Sequence, residues 1–271
     1  MTKNFLLIDG SYFVFYRYYA LLNWFKLANK EETIDKENPP IDNTEFVEKF
    51  KKTFISKVAE IKKKLKLDNP IIIVGKDCPR QNIWRMKYLS SYKANRVYDD
   101  SFLGGPFFEM AYSDDLFIKG GANKIMKYPT LEADDCLAII TEKIKTTFPQ
   151  GKITIITSDM DYLQLACENV ELYDLKYKKL TERKSSYNNA EKDLFVKILT
   201  GDKSDNIKGV FKKCGPKTAC KYFDNKELFE EKLKSVEGAM EIYELNKKII
   251  DFKGILEELV KISNSVTGVI K

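Results

Sequence analysis

Short apolar runs that lead into acidic residues recur along the first two thirds of the chain. Residues 5–9 read Phe-Leu-Leu-Ile-Asp, residues 70–76 form an isoleucine-rich run that reaches Asp77, and residues 152–157 (KITIIT) are rich in β-branched side chains. Uninterrupted apolar runs of this length predict buried strands. Residues 170–175 predict a further strand.

Helical periodicity fills much of the intervening chain. An aromatic-rich helix is predicted over residues 12–27, and an amphipathic helix follows Asn43 or Thr44, either of which can cap it. Further helices are predicted through residues 84–92 and from Leu131 onwards. The apolar face of the amphipathic helix consists of Phe46, Phe50, Phe54, Val58, Ile61 and Leu65.

Two stretches depart from this alternation. Residues 97–123 lose clear periodicity and carry glycine pairs, which indicates an insertion. The chain after residue 175 is predicted to be mostly helical, with a glycine-containing break at 201–216. Strands alternating with helices predict an α/β fold with a mostly parallel central sheet flanked by helices. Ligands of such sheets bind beyond the carboxyl ends of the strands, where the acidic residues lie.

Composition narrows the possible chemistry. The chain has 271 residues, of which 44% are hydrophobic and 32% charged, as in an ordinary globular protein. Histidine is absent from the sequence, so histidine-based triads and histidine metal ligands are excluded. The five cysteines form no Cys-x-x-Cys pair, which argues against a zinc knuckle.

Charge and the N-terminus predict where the protein works and what it binds. The odd cysteine count and an N-terminal apolar run too short for a signal sequence or membrane span predict a soluble intracellular protein. The formal net charge is +6, with widely spread lysines and grouped acids. A basic body with acidic groups suits an enzyme that binds cations and phosphates.

The grouped acids are the candidate site. Each group alone is more typical of helix capping or of a strand end, but in a parallel sheet the groups would converge on one edge. Two carboxylates ~4 Å apart repel by about 4 kcal/mol at an effective dielectric near 20, so cations or protons must offset them. Oxygen ligands alone select hard ions, Mg²⁺ first and Mn²⁺ second, and two such ions can promote phosphodiester hydrolysis. The acids are Asp9, Asp77, Glu132, Asp134, Asp135, Asp159, Asp161, Asp202 and Asp205.

Ordered motifs between residue 5 and about residue 223 resemble the flap endonuclease family, which includes phage 5′-exonucleases and the 5′-nuclease domain of bacterial DNA polymerase. The resemblance implies a PIN-like catalytic domain over residues 1–185, with a helical arch inserted at about 97–123. It implies a DNA-binding helix-hairpin-helix and C-terminal helices over 186–271. The motifs are LLIDGS, WRMKYLSSYKANR, LEADD, TSDMDYLQL, LTGDKSDNIKGV and CGPKTA.

The resemblance also implies roles for individual residues. A first metal site would use Asp9, Asp77, Glu132 and Asp134; a second would use Asp159, Asp161 and Asp202, with Asp135 and Asp205 as outer or additional ligands. Asp134 and Asp159 are also predicted to be catalytic. Asp77 departs from the family pattern, because the strand here reads IIIVGKD; the alternative is a surface aspartate.

Basic and aromatic residues complete the predicted site. Lys93 and Arg96 match the family's basic pair, which stabilises charge on the scissile phosphate. Tyr92 matches a base-stacking aromatic and Arg85 a phosphate contact. In the helix-hairpin-helix, Gly215, Lys217 and Thr218 would bind the DNA backbone, and hairpin carbonyls would hold K⁺. The arch residues predicted to contact a threaded strand are Tyr98, Phe102, Phe107, Phe108, Tyr112 and Lys119.

The resulting hypothesis is a monomeric 5′-nuclease that acts in replication and repair. Its predicted substrates are DNA with 5′ flaps, nicks or gaps, and RNA–DNA hybrids. The sequence shows no tail of the type that binds a sliding clamp, and no membrane partner is expected. The alternatives are a single-strand RNase on a similar fold and a non-catalytic DNA-binding scaffold.

Overall fold

The computed structural model describes residues 3–31, 33–96 and 101–255. Its centre is a five-stranded sheet in the order β3-β2-β1-β4-β5, in which every neighbouring pair is parallel. The predicted α/β fold with a parallel sheet is therefore confirmed. The strands are β1 (Asn4–Asp9), β2 (Ile71–Gly75), β3 (Lys124–Met126), β4 (Lys152–Ile156) and β5 (Val170–Tyr173).

Helices cover both faces of the sheet, which is why the inner residues of its central strands are mostly apolar. Phe5 and Leu7 of β1 pack on one face against an apolar cluster that includes α5, whereas Leu6 and Ile8 pack on the other face with α1 and α2. The bounds of these helices are α1 (Gly10–Ala28), α2 (Thr44–Lys64), α3 (Gly105–Ser113), α4 (Leu116–Lys119) and α5 (Ala133–Thr147).

Predictions that rest on short stretches of sequence are confirmed for α2 but not for residues 84–92. The amphipathic helix begins as predicted, because the Asn43 side chain accepts a hydrogen bond from the Phe46 N–H at 2.9 Å and caps α2. The helix predicted over residues 84–92 is wrong: a 3₁₀ turn covers only Trp84–Lys87, and another, at Arg80–Asn82, precedes it. The backbone bonds here span three residues, as in a 3₁₀ turn: the Met86 N–H donates to the Ile83 carbonyl and the Tyr88 N–H to the Arg85 carbonyl, each at 3.1 Å.

The described part of the insertion, residues 101–123, contains α3 and α4 and packs on the body of the protein. Phe107 of α3 is fully buried against Phe46 and Phe50, so its predicted contact with a threaded strand is wrong and it belongs to the core. Phe102 and Phe108 are partly buried beside the same cluster. Tyr98 lies outside the described residues.

The C-terminal part is mostly helical between residues 186 and 255, as predicted. Its helices are α6 (Ala190–Thr200), α7 (Pro216–Asp224), α8 (Lys226–Ser235) and α9 (Ala239–Ile250). They enclose an apolar cluster that includes Leu199, Phe211 and Phe229. The domain boundary at 185/186 stays a prediction, since α6 also packs against the segment 160–165. Within the described ranges, no helix combines the length and the apolar character needed to cross a bilayer.

Candidate metal and nucleic-acid site

Acidic side chains from separate segments converge at the carboxyl edge of the sheet. Asp9 is the last residue of β1, Asp77 follows β2, and Asp159 follows β4. Glu132 precedes α5 as its N-cap residue, and Asp134 lies in the first turn of that helix. All of these residues line one open cleft of about 460 Å³. The convergence follows from the parallel sheet, which brings the ends of β1, β2 and β4 to one edge.

Hydrogen bonds from neighbouring elements orient these carboxylates. Asp9 accepts from the Tyr12 N–H at 3.1 Å, and so caps α1, and from the Thr157 and Tyr162 hydroxyls at 3.2 and 3.3 Å. Asp77 accepts from the Ser11 hydroxyl and, at 2.7 Å, from the N–H of Ala133. Asp77 is therefore fixed between the first turns of α1 and α5.

The cleft carries more negative charge than its own cations neutralise. Burial, followed by the neighbouring Asp77 and Asp159, raises the pKa of Asp9 to about 7. Burial and Asp135 hold the pKa of Asp134 well above its usual value. Oxygens of Glu132, Asp134 and Asp135 lie within 4.8 Å of one another. An all-oxygen donor set with raised carboxyl pKa values fits a hard divalent cation.

A second acidic pair is bridged by a lysine. Lys197 of α6 lies 2.6 Å from Asp161 and also forms an ion pair with Asp202. Although burial opposes it, Lys197 and Ser204 lower the pKa of Asp202 to about 2. Burial and Asp159 raise the pKa of Asp161 to about 6. Lys197 thus supplies positive charge between two of the predicted ligands of the second metal.

The remaining predicted ligands are held by arginines and a lysine. Asp135 is fully buried and accepts two hydrogen bonds from Arg85, at 2.7 and 2.8 Å. Asp205 lies 2.5 Å from Arg96 and 3.7 Å from Lys93. In this structure both carboxylates are ion-paired and absent from the lining of the cleft.

The predicted basic pair borders the cleft. Lys93 and Arg96 line it together with Arg80, and Lys93 pairs with Glu132. The backbone of Lys93 has a φ of 57°, a left-handed conformation that lysine rarely adopts. Its N–H donates to the Asp205 carbonyl at 2.9 Å, which stabilises this conformation. Such backbone strain is typical of functional positions.

Two predicted nucleic-acid contacts are buried instead. Arg85 and Tyr92 are each only 3% exposed. The Tyr92 hydroxyl donates to Asp205 at 3.0 Å and lies 3.1 Å from Glu132, so its ring presents no open face for a base. Arg85 is enclosed by Glu132 and Asp135, and a phosphate cannot reach it in this conformation. Both side chains hydrogen-bond the acidic residues from the buried side of the site, away from the open cleft.

The predicted hairpin lies between α6 and α7. Gly215 is the N-cap residue of α7, and its carbonyl accepts from the Thr218 N–H at 3.0 Å. Gly215 is exposed, and a side chain there would meet nothing within 4 Å, so its backbone is open to a large ligand. Lys217 is exposed in the first turn of α7, and the other exposed lysines nearby are Lys208, Lys212, Lys213 and Lys221.

Sequence reasoning missed several residues of the site. Ser11 was quoted only as part of a motif, yet its hydroxyl donates to Asp77. Lys197 stands in an otherwise apolar helix segment, and that isolated charge was the available signal. Phe15 lines the cleft and is 43% exposed, unusual for a phenylalanine on a helix that packs on a sheet. Its position in the second turn of the helix that follows Asp9 could have indicated it.

A parallel α/β sheet that gathers carboxylates in a cleft at its carboxyl edge suits an enzyme that binds divalent cations and acts on phosphodiesters. The family model described as 5′-3′ exonuclease, N-terminal resolvase-like domain, matches residues 4–197. The chain belongs to this family and is a nuclease. The resemblance to the flap endonuclease and 5′-3′ exonuclease family is thereby confirmed, and the RNase and scaffold alternatives are not favoured.

Curated relatives agree with this assignment. A 5′-3′ exonuclease of Mycoplasmopsis pulmonis is 29% identical over 278 residues, covering 98% of this chain and 82% of its own. A 5′-3′ exonuclease of Buchnera aphidicola is 30% identical over 223 residues, covering 79% of this chain and 68% of its own. Ribonuclease H of Enterobacteria phage T4 is 32% identical over 158 residues, 55% of this chain and 50% of its own.

Solved structures share the fold. The T5 D15 protein co-crystallised with metal ions matches with a TM-score of 0.69 at 17% identity, covering 99% of this chain and 100% of its own. A second match is a substituted form of the T5 D15 flap endonuclease in a pseudo-enzyme–product complex with DNA and metal ions. Its TM-score is 0.63 at 18% identity, covering 92% of this chain and 89% of its own. Both neighbours were crystallised with metal ions, and at these identities the match shows a shared fold.

Proposed function

We propose that the protein is a structure-selective 5′-nuclease that hydrolyses DNA near single-strand/double-strand junctions. Its substrates would be 5′ flaps, nicks and gaps, and RNA–DNA hybrids, cut by a monomer in replication and repair. The observation that carries the proposal is the cleft itself, where Asp9, Asp77, Glu132, Asp134 and Asp159 face one space bordered by Lys93 and Arg96.

The carboxylates that line the cleft would hold Mg²⁺, with Mn²⁺ as a substitute. Asp9, Asp77, Glu132 and Asp134 suit one ion, and Asp159 with Asp161 and Asp202 suits a second. When bound, such ions stabilise charge on the phosphate and favour attack by water. The raised pKa of Asp9 supports this assignment, because the carboxylate lacks a counter-charge of its own.

The chain's own cations would orient the scissile phosphate. Lys93 and Arg96 border the cleft and present ammonium and guanidinium groups toward the acids. A phosphate that enters would compete with Glu132 and Asp205 for these groups, and the charge that develops on its oxygens favours that exchange. Phe15, exposed at the same cleft, would stack on a base next to the cut.

The hairpin between α6 and α7 would hold the duplex. The exposed backbone at Gly215, the side chains of Lys217 and Thr218, and the positive N-terminus of α7 suit a phosphate. These contacts read no bases, so binding should tolerate any sequence and weaken with salt. Carbonyls of the hairpin loop would hold K⁺.

A labelled 5′-flap duplex tests the proposal. We expect cutting near the junction with Mg²⁺ and none with EDTA, and little cutting of a plain RNA strand. Asp159→Asn should abolish cutting yet retain flap binding in Ca²⁺, since it removes a metal ligand and leaves the hairpin intact. Asp68→Asn is the matched control, because Asp68 is exposed at the amino end of β2, the opposite edge of the sheet. Wild-type protein that leaves the flap uncut at every Mg²⁺ concentration would refute the proposal.

A further inference from the structure

Arg85 contacts both the acidic cluster and helix α9. Its guanidinium donates to Glu132 at 2.9 Å and to both carboxylate oxygens of Asp135 at 2.7 and 2.8 Å. Its Nε donates at 2.8 Å to the backbone carbonyl of Ile249, the penultimate residue of α9. This buried side chain therefore contacts the metal-site acids and the C-terminal helix at once.

Asp135, held by Arg85, in turn restrains Glu132. One of its oxygens accepts the Glu132 N–H at 3.0 Å and the Trp84 indole N–H at 2.9 Å, in addition to Arg85. Because the whole network is buried, removal of one partner leaves an unpaired buried charge, which is costly. Glu132 consequently has little freedom to change its direction while Arg85 is in place.

The end of α9 is itself fixed to the body. Ile249 and Ile250 are buried in an apolar cluster with Cys78 and Ile83, which lie next to the cleft. The buried Asn246 side chain donates to the carbonyls of Ile198 and Lys208, at 2.9 and 2.8 Å. The Ile249 carbonyl is thus presented to Arg85 from a rigid support.

The same helix end also contacts the segment that carries Asp161. Gln164 donates to the Ile250 carbonyl at 3.1 Å and accepts from the Phe252 N–H at 2.8 Å. Gln164 belongs to the 3₁₀ segment Met160–Leu165, which begins directly after Asp159 and includes Asp161. The end of α9 therefore contacts the supports of both acidic groups, although it contributes no carboxylate to either.

We propose that the end of α9 is a brace for the metal site and that Arg85 is the positioning residue through which it orients Glu132 and Asp135. The inference rests on the proposed function, since it concerns the same metal site. It gives α9 a role in the activity even though this helix lies beyond residues 4–197, which the family model covers. It also replaces the predicted phosphate contact of Arg85 with a role behind the site.

Substitution of Arg85 separates the two roles. Arg85→Lys retains the charge but loses the bidentate geometry and the bond to α9, and Arg85→Gln also loses the charge. We expect both to weaken Mg²⁺ or Mn²⁺ binding, measured by calorimetry on the full chain, by about 10–100-fold, as is typical of residues that orient metal ligands. The affinity for a 5′-flap duplex in EDTA should stay at the wild-type value. Lys192→Gln, which breaks the surface pair with Asp224, is the matched control.

A second variant tests the brace without touching the acids or Arg85. Asn246→Leu removes the two side-chain hydrogen bonds from Asn246 to the carbonyls of Ile198 and Lys208, and we expect a loss of metal affinity in the same direction as Arg85→Gln. Leu233→Ala is its control, because it loosens the apolar cluster around α8 and leaves the end of α9 bonded. All titrations are made at a temperature where circular dichroism shows each variant folded.

The outcomes are distinct. If Arg85→Gln is folded and binds metal with wild-type affinity, the positioning role is overturned. If the substitution lowers only the affinity for DNA measured in EDTA, Arg85 is a phosphate contact instead. Equal losses for Asn246→Leu and Leu233→Ala overturn the brace, because general destabilisation would then explain both. Wild-type protein that binds no divalent metal, or binds it and cuts no DNA, counts against the proposed function instead.

Discussion

Replacing Asp9 by asparagine should stabilise the metal-free protein at alkaline pH while abolishing its activity. The pKa of Asp9 is raised from 3.8 to about 7, first by burial and then by Asp77 and Asp159. Asparagine keeps an acceptor oxygen for the Tyr12 N–H that starts α1, but it carries no charge to be buried. The substitution therefore removes an unfavourable charge and retains the cap.

The sign and size follow from proton linkage. Between pH 4 and 7 the folded state binds more protons at Asp9 than the unfolded state, so wild-type stability falls as pH rises through this window. A difference of about three pH units between the two pKa values corresponds to about 4 kcal/mol. Asp9 is partly exposed at the cleft, so solvent screening should reduce this to about 1–3 kcal/mol.

Urea unfolding in EDTA at pH 5 and at pH 8 measures the effect. We expect Asp9→Asn to exceed the wild type in free energy of unfolding at pH 8, with a much smaller difference at pH 5. Asp68→Asn controls for the loss of one negative charge at an exposed position. Added Mg²⁺ should stabilise the wild type by about 2.7 kcal/mol at a hundredfold excess over Kd, and the variant by less. A stability difference that is absent at pH 8, or equal at both pH values, would show that Asp9 carries no unfavourable buried charge.

Four further substitutions test the remaining parts of the site. Lys93→Gln should lower kcat for flap cleavage by about 100-fold, because it removes a cation next to the phosphate, and an unchanged kcat would contradict this. Phe15→Ala should raise KM more than it lowers kcat, whereas Leu27→Ala, at an exposed position on the same helix, should change neither. Lys197→Gln should destabilise the metal-free chain and increase the stabilisation by Mg²⁺ seen in thermal melts, because Asp161 and Asp202 lose their counter-charge; a smaller Mg²⁺ effect would oppose this. Lys217→Gln should weaken duplex binding for all sequences and reduce the slope of log K against log salt by about 0.9, and a sequence-dependent loss would argue against backbone recognition.

Prediction from sequence succeeded where short segments decide their own structure. The inner residues of β1, β2 and β4 are mostly apolar because both faces of the sheet are buried, and such runs stand out in a sequence. The acids at the strand ends could then be assigned to one edge from topology alone. By contrast, the three-residue β3 gives no such signal, and it exists because β2 offers its edge for pairing.

The tertiary structure alone decided which charged groups face the cleft and which support it from behind. Arg85 contacts Ile249 across 164 positions of the chain, and Arg96 contacts Asp205 across 109. No local pattern encodes such partners, because a motif gives the identity of a side chain but not its burial. The sequence by itself determined that carboxylates gather at the edge of a parallel sheet. Contacts between distant parts of the chain determined which of them stay open to a cation and which are already neutralised by arginine or lysine.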